Sequence, residues 1–408
     1  MTAFLDRYAA AYGPSDALLR RLTGLLGGEV RADGAWISDT EGRRWLDFGS
    51  FGLHLLGHRH PVVTAAAVSQ LDRMGLSGKV LGNEAATRCV ERLLAATPPR
   101  LDRGILANTG AEAVEMAIKM VTLATGRDEL LALTRSYHGR TVAALSLSDA
   151  TASLGRWGLR DRVHFVEPGD IATARRLLET RPIAAVFAEP VQGEGGVRPV
   201  APEFLAALRE RCDATRTPLV LDEIQTGLGR CGRRWRSADD CPPDLLLVGK
   251  ALGGGLVPVS AVLYASPVIG PAATDPLVFA SSFAGGALAG TVGATVVELV
   301  SDPVLLERVR LMGDAVRATL RTRLGGNAHV RDIRGEGLMI GVELSDPAVA
   351  GQVLVEAARR DLLVSFCLSR PEVLRVYPPV VIEPDDLDAG VAAFVAAVAA
   401  VTAAPELV

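Results

Sequence analysis

Lysine is nearly absent from the chain. Of 43 basic residues only Lys79, Lys119 and Lys250 are lysines, so any chemistry that needs a side-chain amine has three candidates. Cysteine is scarce too. Cys89, Cys212, Cys231, Cys241 and Cys367 are five in 408 residues, an odd number with no CxxC pair. That excludes a disulfide framework and suits a reducing cytoplasm. Asp6 and Arg7 interrupt the amino terminus before an apolar core forms, so no secretory leader is expected. Positive charge is not in surplus, the net charge being −4, which argues against a general nucleic-acid binder. The longest apolar run, 389–404, is alanine-rich and shorter than the ~18 residues of a membrane span. Asp385, Asp386 and Asp388 precede it, as acids precede a helix, so a packed terminal helix is expected. HExxH and GxSxG are missing, and His58 and His60 stand on a loop without further ligand partners, so no metal site is expected.

What is present is a folding composition, 49% apolar and 22% charged. A chain of 408 residues has room for two or three domains and needs no staple to fold. The first 35 residues read as a helical arm, with Leu18, Leu19, Leu22, Leu25 and Leu26 following Ser15-Asp16. A hairpin turned at Glu41-Gly42 follows, between 36–38 and 44–47. Asn83 caps a helix whose apolar positions are Ala86, Val90, Leu93 and Leu94, and Pro98-Pro99 stops it. A second helix spans 109–121 and another 202–212. Short apolar runs at 130–132, 183–188, 219–221 and 245–248 read as strands buried on both faces. Strands alternating with helices predict an α/β fold with a mostly parallel sheet covered on both sides. After residue 300 the texture changes. A helical stripe runs from Leu305 to Leu320, then come a strand at 337–344, a helix at 353–359 and a strand at 374–376, a smaller α+β unit. The division expected is 1–50 for the arm and hairpin, 51–300 for the large domain and 301–408 for the small one.

Four features carry chemistry. Gly227-Leu-Gly229-Arg-Cys-Gly232 matches a dinucleotide fingerprint, but no apolar helical period opens after it, so a nicotinamide or flavin site is not expected. Asn108-Thr109-Gly110-Ala111-Glu112-Ala113 opens a helix. Thr109 and Glu112 have capping-box spacing, while Gly110 lets an anion approach free N–H groups; the motif alone accommodates a cap and a phosphate cradle equally. Asp222 ends the run 219–221, at the strand end where α/β sheets bind ligands. A carboxylate buried there needs a cationic partner, and a loop or cap aspartate is the plainer alternative. Lys250 ends the run 245–249 beside Ala251-Leu-Gly253-Gly254-Gly255. Burial there would free its amine for Schiff-base chemistry; a solvated lysine is the alternative. Lys119 lies inside a helix and Lys79 in a polar loop, so Lys250 is the best placed of the three. Amine, strand-end acid and phosphate cradle are what pyridoxal phosphate (PLP) requires, and Tyr137, after another strand, is placed to stack on its ring.

In this order the motifs resemble those of the class III, ornithine/acetylornithine-type PLP aminotransferases. The resemblance rests on Gly42-Arg-Arg-Trp45-Leu-Asp47, Gly57-His58-Arg-His-Pro61, the 108–113 motif, Tyr137-His138-Gly-Arg140, Glu189-Pro-Val-Gln-Gly-Glu194, Leu221-Asp222-Glu-Ile-Gln225-Thr-Gly and Lys250-Ala-Leu-Gly-Gly-Gly255. It implies a fold-type-I transferase with a mostly parallel, seven-stranded-type sheet, and a homodimer with sites at the subunit interface. By the same resemblance Lys250 is the Schiff-base lysine and proton shuttle, and Asp222 pairs with the ring nitrogen. Gln225 reaches the ring hydroxyl, Gly110 and Ala111 hold phosphate, Tyr137 stacks on the ring, and His138 belongs to the cofactor pocket. Ser282 stands where the family has a threonine that donates to phosphate from the neighbouring subunit, although the surrounding Phe283-Ala-Gly-Gly286-Ala287 departs from the family's loop. Arg375 is the arginine that grips the carboxylate of glutamate or 2-oxoglutarate, and Glu194 is the gate that pairs with it when an ω-amine enters. Arg140 is a second carboxylate-binding arginine, and Phe51 lies on the substrate side in a stretch that varies among members. The implied reaction moves an amino group from an ornithine-like, acylated-ornithine-like or diamine donor to an oxo acid. A PLP-dependent isomerase, a 2-epimerase or an aminomutase, is the alternative on the same fold.

Overall fold

A computed structural model describes residues 3–78, 80–149, 160–271, 275–279 and 281–402. Lys79 therefore lies outside the described residues, as do positions 403–404 of the expected terminal helix.

The centre is a seven-stranded sheet in the order Arg103–Ala107, Ser260–Tyr264, Leu245–Val248, Leu219–Asp222, Ile183–Ala188, Glu129–Leu133 and Val163–Val166. Neighbours pair in parallel except Ser260–Tyr264, which runs antiparallel to the strands on both its sides. Side chains of a strand alternate between faces, and here both faces are buried. Leu131, Val186, Leu219, Leu221, Leu246 and Val248 pack with the helices Glu84–Ala95, Pro202–Thr215 and Ala287–Leu299. Leu130, Ala132, Phe187, Val220, Leu245 and Leu247 point the other way, under the helix Gly110–Thr125. That two-sided burial is why these strands read as unbroken apolar runs. By the same period Asp222 shares the face of Val220 and emerges at the carboxyl end of its strand.

Helix starts follow their caps. Asn83 accepts the Ala86 N–H at 3.0 Å. Thr109 accepts the Glu112 N–H at 3.2 Å while the Glu112 carboxylate accepts the Thr109 N–H at 3.2 Å, a reciprocal capping box. The expected helix 109–121 runs on to Thr125, where Gly126 ends it in the left-handed region at φ 64°.

A second, antiparallel sheet is ordered Val330–Glu336, Met339–Leu344, Arg370–Val376 and Ser365–Cys367. Its core joins Ile340, Val342, Leu374 and Val376 to Leu46 and Phe48 from the amino-terminal hairpin and to Phe394 from the terminal helix Pro384–Thr402. Three expectations need correction. The arm is helical only to Thr23, because Glu29–Asp33 pairs antiparallel with Trp36–Asp39 as an exposed, charged strand. The strand expected from Gly337 begins at Met339, because Gly337 turns the chain at φ 51° into the hairpin with Val330–Glu336. The helix expected at 353–359 starts earlier, at Pro347, where Asp346 caps it. Among the described residues no single helix is long and apolar enough to cross a membrane.

Candidate active site

At the carboxyl ends of the central strands lies a cavity of about 590 Å³. Its lining joins Gly110, Ala111, Tyr137, His138, Arg140, Glu194, Asp222, Gln225 and Lys250, residues spread over the whole large sheet. Lys119, by contrast, donates from its helix to the Val278 carbonyl at 3.0 Å, over the Phe279 ring, well away from this group.

Each wall has a local cause. Lys250 follows the strand Leu245–Val248 at φ 44°, a left-handed backbone that turns the chain out of the sheet into Lys250–Gly253. Burial holds its ammonium below the usual lysine range; Glu194 opposes this and Arg375 adds to it. Asp222 is met by His138, whose Nδ1 lies 2.8 Å from Oδ2, while Oδ1 accepts the Ile224 N–H at 3.1 Å. His138 meets the Phe187 ring edge-on, and its Nε2 is buried with no hydrogen-bond partner among the described residues. Burial works against a charged His138, but the hydrogen bond and charge of Asp222 lift its pKa above the ordinary value. The Tyr137 N–H donates to Glu189 at 2.8 Å. Burial, with Asp222 nearby, pushes the Glu189 carboxyl up to about 8 although His138 opposes it.

The helix Gly110–Thr125 presents its amino terminus to the same space. Its capping box satisfies the N–H of Glu112, which leaves those of Gly110 and Ala111, both in the cavity wall, without an intrahelical partner. A Cβ at Gly110 would stand 2.9 Å from Ile224 Cδ1, so a side chain there would have to push the Ile224 tip aside.

Arg375 is not in the cavity wall. Its side chain is fully buried: Nη1 pairs with Glu194 Oε1, and Nε lies 3.2 Å from Ser365 Oγ. Its Nη2 is buried without a hydrogen-bond partner among the described residues. Phe51 lies over the guanidinium at 5.0 Å, itself half exposed and left-handed at φ 52°. Arg140 is exposed at the rim. Ser282 is exposed and outside the cavity formed by its own chain.

The sequence reading assigned no role to two residues that shape this region. Tyr377 donates from its hydroxyl to Gln225 Oε1 at 3.2 Å. Arg230, inside the glycine-rich 227–232 motif, is fully buried and donates to the carbonyls of Leu338, Pro378 and Gly52. That motif opens no helix, and a buried arginine among carbonyls is no place for a dinucleotide phosphate. Tyr377 is one aromatic in an apolar stretch and Arg230 one of four arginines within 230–236, so neither stands out in the sequence. Among the described residues no cluster of His, Cys, Asp and Glu could hold a metal.

A family model described as "Aminotransferase class-III" matches residues 26–398. The mitochondrial acetylornithine aminotransferase of Alnus glutinosa is 35% identical over 370 residues, 88% of this chain and 80% of that protein. Ornithine aminotransferase 1 of Staphylococcus aureus is 32% identical over 374 residues, 88% of this chain and 92% of that protein. The crystal structure of the ornithine aminotransferase from Toxoplasma gondii superimposes with a TM-score of 0.83 at 30% identity, covering 92% of this chain and 91% of that one. A second structure of the Toxoplasma enzyme is described as showing partial occupancy of PLP at its active site.

Proposed function

Because the chain belongs to the class III aminotransferases, which are PLP-dependent, we propose that it takes the ω-amine of an ornithine-like, acylated-ornithine-like or diamine donor and passes the nitrogen to 2-oxoglutarate. The observation that carries this reading is the convergence in one cavity of Lys250, Asp222 and the open N–H groups of Gly110 and Ala111, beside a buried Arg375–Glu194 pair. All the relatives described above are aminotransferases, so the isomerase alternative finds no support among them.

The cavity's groups suit PLP on their own chemistry: an amine kept below its usual pKa, a buried carboxylate, a helix amino terminus and a His138 Nε2 without a partner among the described residues. Bound there, PLP would supply the electron sink that makes a C–H proton beside nitrogen removable. Lys250 Nζ is our choice for the covalent tether and, when released, for the base that carries that proton. Asp222 would keep the ring nitrogen protonated, with His138 fixing the direction of Oδ2. Gly110 and Ala111 would hold phosphate, helped by Ser282 of a second copy. Tyr137 would cover the ring face, and Gln225 would face its hydroxyl.

Substrate exchange falls to the two arginines. An oxo acid must displace Glu194 to reach both Nη atoms of Arg375, as a planar fork binds a carboxylate in two bonds. When a cationic ω-amine enters, Glu194 returns and neutralises the guanidinium, with Phe51 covering it. Arg140 at the rim would take the donor's own carboxylate. We also infer a homodimer and a cytoplasmic location. Leu76, Val80, Leu81 and Phe283 are exposed apolar side chains at 60%, 94%, 83% and 64% accessibility, and Leu76 lies against Gly286 while Val80 and Leu81 line a surface cleft with Ala287, close to the loop that carries Ser282. All five cysteines are buried thiols, the state a reducing compartment maintains.

The test is a half-reaction assay on purified, PLP-loaded protein. The correct donor bleaches the visible cofactor band and 2-oxoglutarate restores it. A panel of ornithine, N-acylated ornithine and diamines identifies the donor. Bleaching by none of them, or recovery without an oxo acid, would overturn the reading.

A further inference from the structure

Gln225 lines the cavity with its amide held from two sides. On one side the Tyr377 hydroxyl lies 3.2 Å from Oε1. On the other stands the backbone of Gly193, so close that a Cβ there would lie 1.6 Å from Oε1 and 3.0 Å from Nε2. Tyr377 is itself packed on every side described. Its ring is buried, its N–H donates to the Phe48 carbonyl at 2.9 Å, and the guanidinium groups of Arg230 and Arg375 approach its faces at 5.7 and 5.9 Å. Burial raises the phenol well above its ordinary pKa despite Arg375, so the hydroxyl keeps its proton and can donate. An amide has one acceptor and one donor end. With Oε1 occupied by Tyr377, the donor end is the one left over, and among the described residues nothing bonds Nε2.

We propose that Tyr377 is a positioning residue that fixes the orientation of the Gln225 amide, presenting Nε2–H and not Oε1 to the hydroxyl of the pyridoxal ring. The inference rests on the reading that Gln225 faces that hydroxyl. Its physical content is the sign of one contact. A fixed donor stabilises the anionic ring oxygen, whereas an amide free to flip offers an acceptor half the time and repels it.

The test compares wild-type protein, Tyr377→Phe, Gln225→Ala and the double variant. Two readouts are used besides turnover: the equilibrium affinity of the apoprotein for PLP, and the pH midpoint of the loaded protein's visible band. Melting of each apoprotein confirms that it is folded. Losing one hydrogen bond is expected to weaken PLP binding about fivefold in Tyr377→Phe. The midpoint should rise, because a ring oxygen without its donor holds the shared proton more tightly. In the Gln225→Ala background Tyr377→Phe should add nothing, as the route runs through the amide. If Gln225→Ala weakens binding and moves the midpoint while Tyr377→Phe does neither, the positioning role is wrong and the Gln225 reading stands. If Gln225→Ala changes neither quantity, the Gln225 reading itself fails.

Discussion

The carboxylate of Glu194 spans two elements that meet only in the folded chain: Oε1 pairs with the buried Arg375 guanidinium, and Oε2 accepts the N–H of Leu368 at 2.9 Å. Glu194 is held below the usual carboxylate range, burial opposing the shift and Arg375 with Lys250 producing it. Glu194 is therefore latched by charge on one side and by the tip of the hairpin 365–376 on the other, the hold that the proposed gate has to release.

Replacing Glu194 with glutamine keeps the shape and removes the charge. Arg375 is then a buried cation without an anion, which costs about 3–5 kcal/mol. Urea unfolding should show that loss. In steady-state kinetics KM for 2-oxoglutarate should fall, because no anion competes for Arg375, while KM for the ω-amine donor should rise about tenfold. Equal changes for both substrates would remove the gate.

Lys250→Ala should lower turnover by roughly ten-thousandfold, the upper range for a lost proton-transfer group. PLP should then leave on dialysis, since the tether is gone. Turnover within tenfold of wild type excludes Lys250 as tether and base.

Glu189 makes a pH-dependent contribution whose sign follows from its raised pKa. In the unfolded chain the carboxyl ionises near its ordinary 4.5, while in the folded apoprotein it keeps its proton to about 8. Stability from this group is full below pH 4.5 and is lost as pH rises to about 8, at no more than about 1.4 kcal/mol per pH unit. Glu189→Gln removes the dependence, so the variant's advantage over wild type in urea denaturation should grow between pH 5 and 8. A pH-independent difference contradicts the assignment.

Gly193→Ala tests the packing behind Gln225. The added methyl would overlap the Gln225 amide at 1.6 Å, so side chain or backbone must move. Overpacking of this kind costs about 1–3 kcal/mol. The apoprotein should stay folded with a lower melting temperature and bind PLP more weakly than wild type, measured by equilibrium dialysis.

Leu81→Glu tests the subunit contact. A charge among the exposed apolar side chains Leu76, Val80 and Phe283 should move the proposed dimer towards monomer in light scattering. PLP affinity should fall with it if Ser282 of the second copy contributes to the phosphate site. A wild-type monomer at working concentration would exclude the homodimer.

The chain by itself determined what depends on neighbours along it. Two-sided burial writes Ile183–Ala188 and Leu245–Val248 as apolar runs, and Asn83 and Thr109 mark helix starts through bonds to residues three away. It left Val163–Val166 unread and placed Glu29–Asp33 in a helical arm, because a histidine sits in one and the other exposes charged side chains; pairing across the sheet stabilises both as strands. The scarcity of lysine narrowed the amine to three positions, and the ordered motifs named the chemistry. Only the tertiary structure decided that Asp222 is answered by a histidine, that Arg375 is fully buried and its partner Glu194 is held by the Leu368 N–H 174 positions away, and that Tyr377 reaches Gln225 across 152. Those contacts depend on which groups lose water together when the sheets pack, and sequence spacing does not encode that.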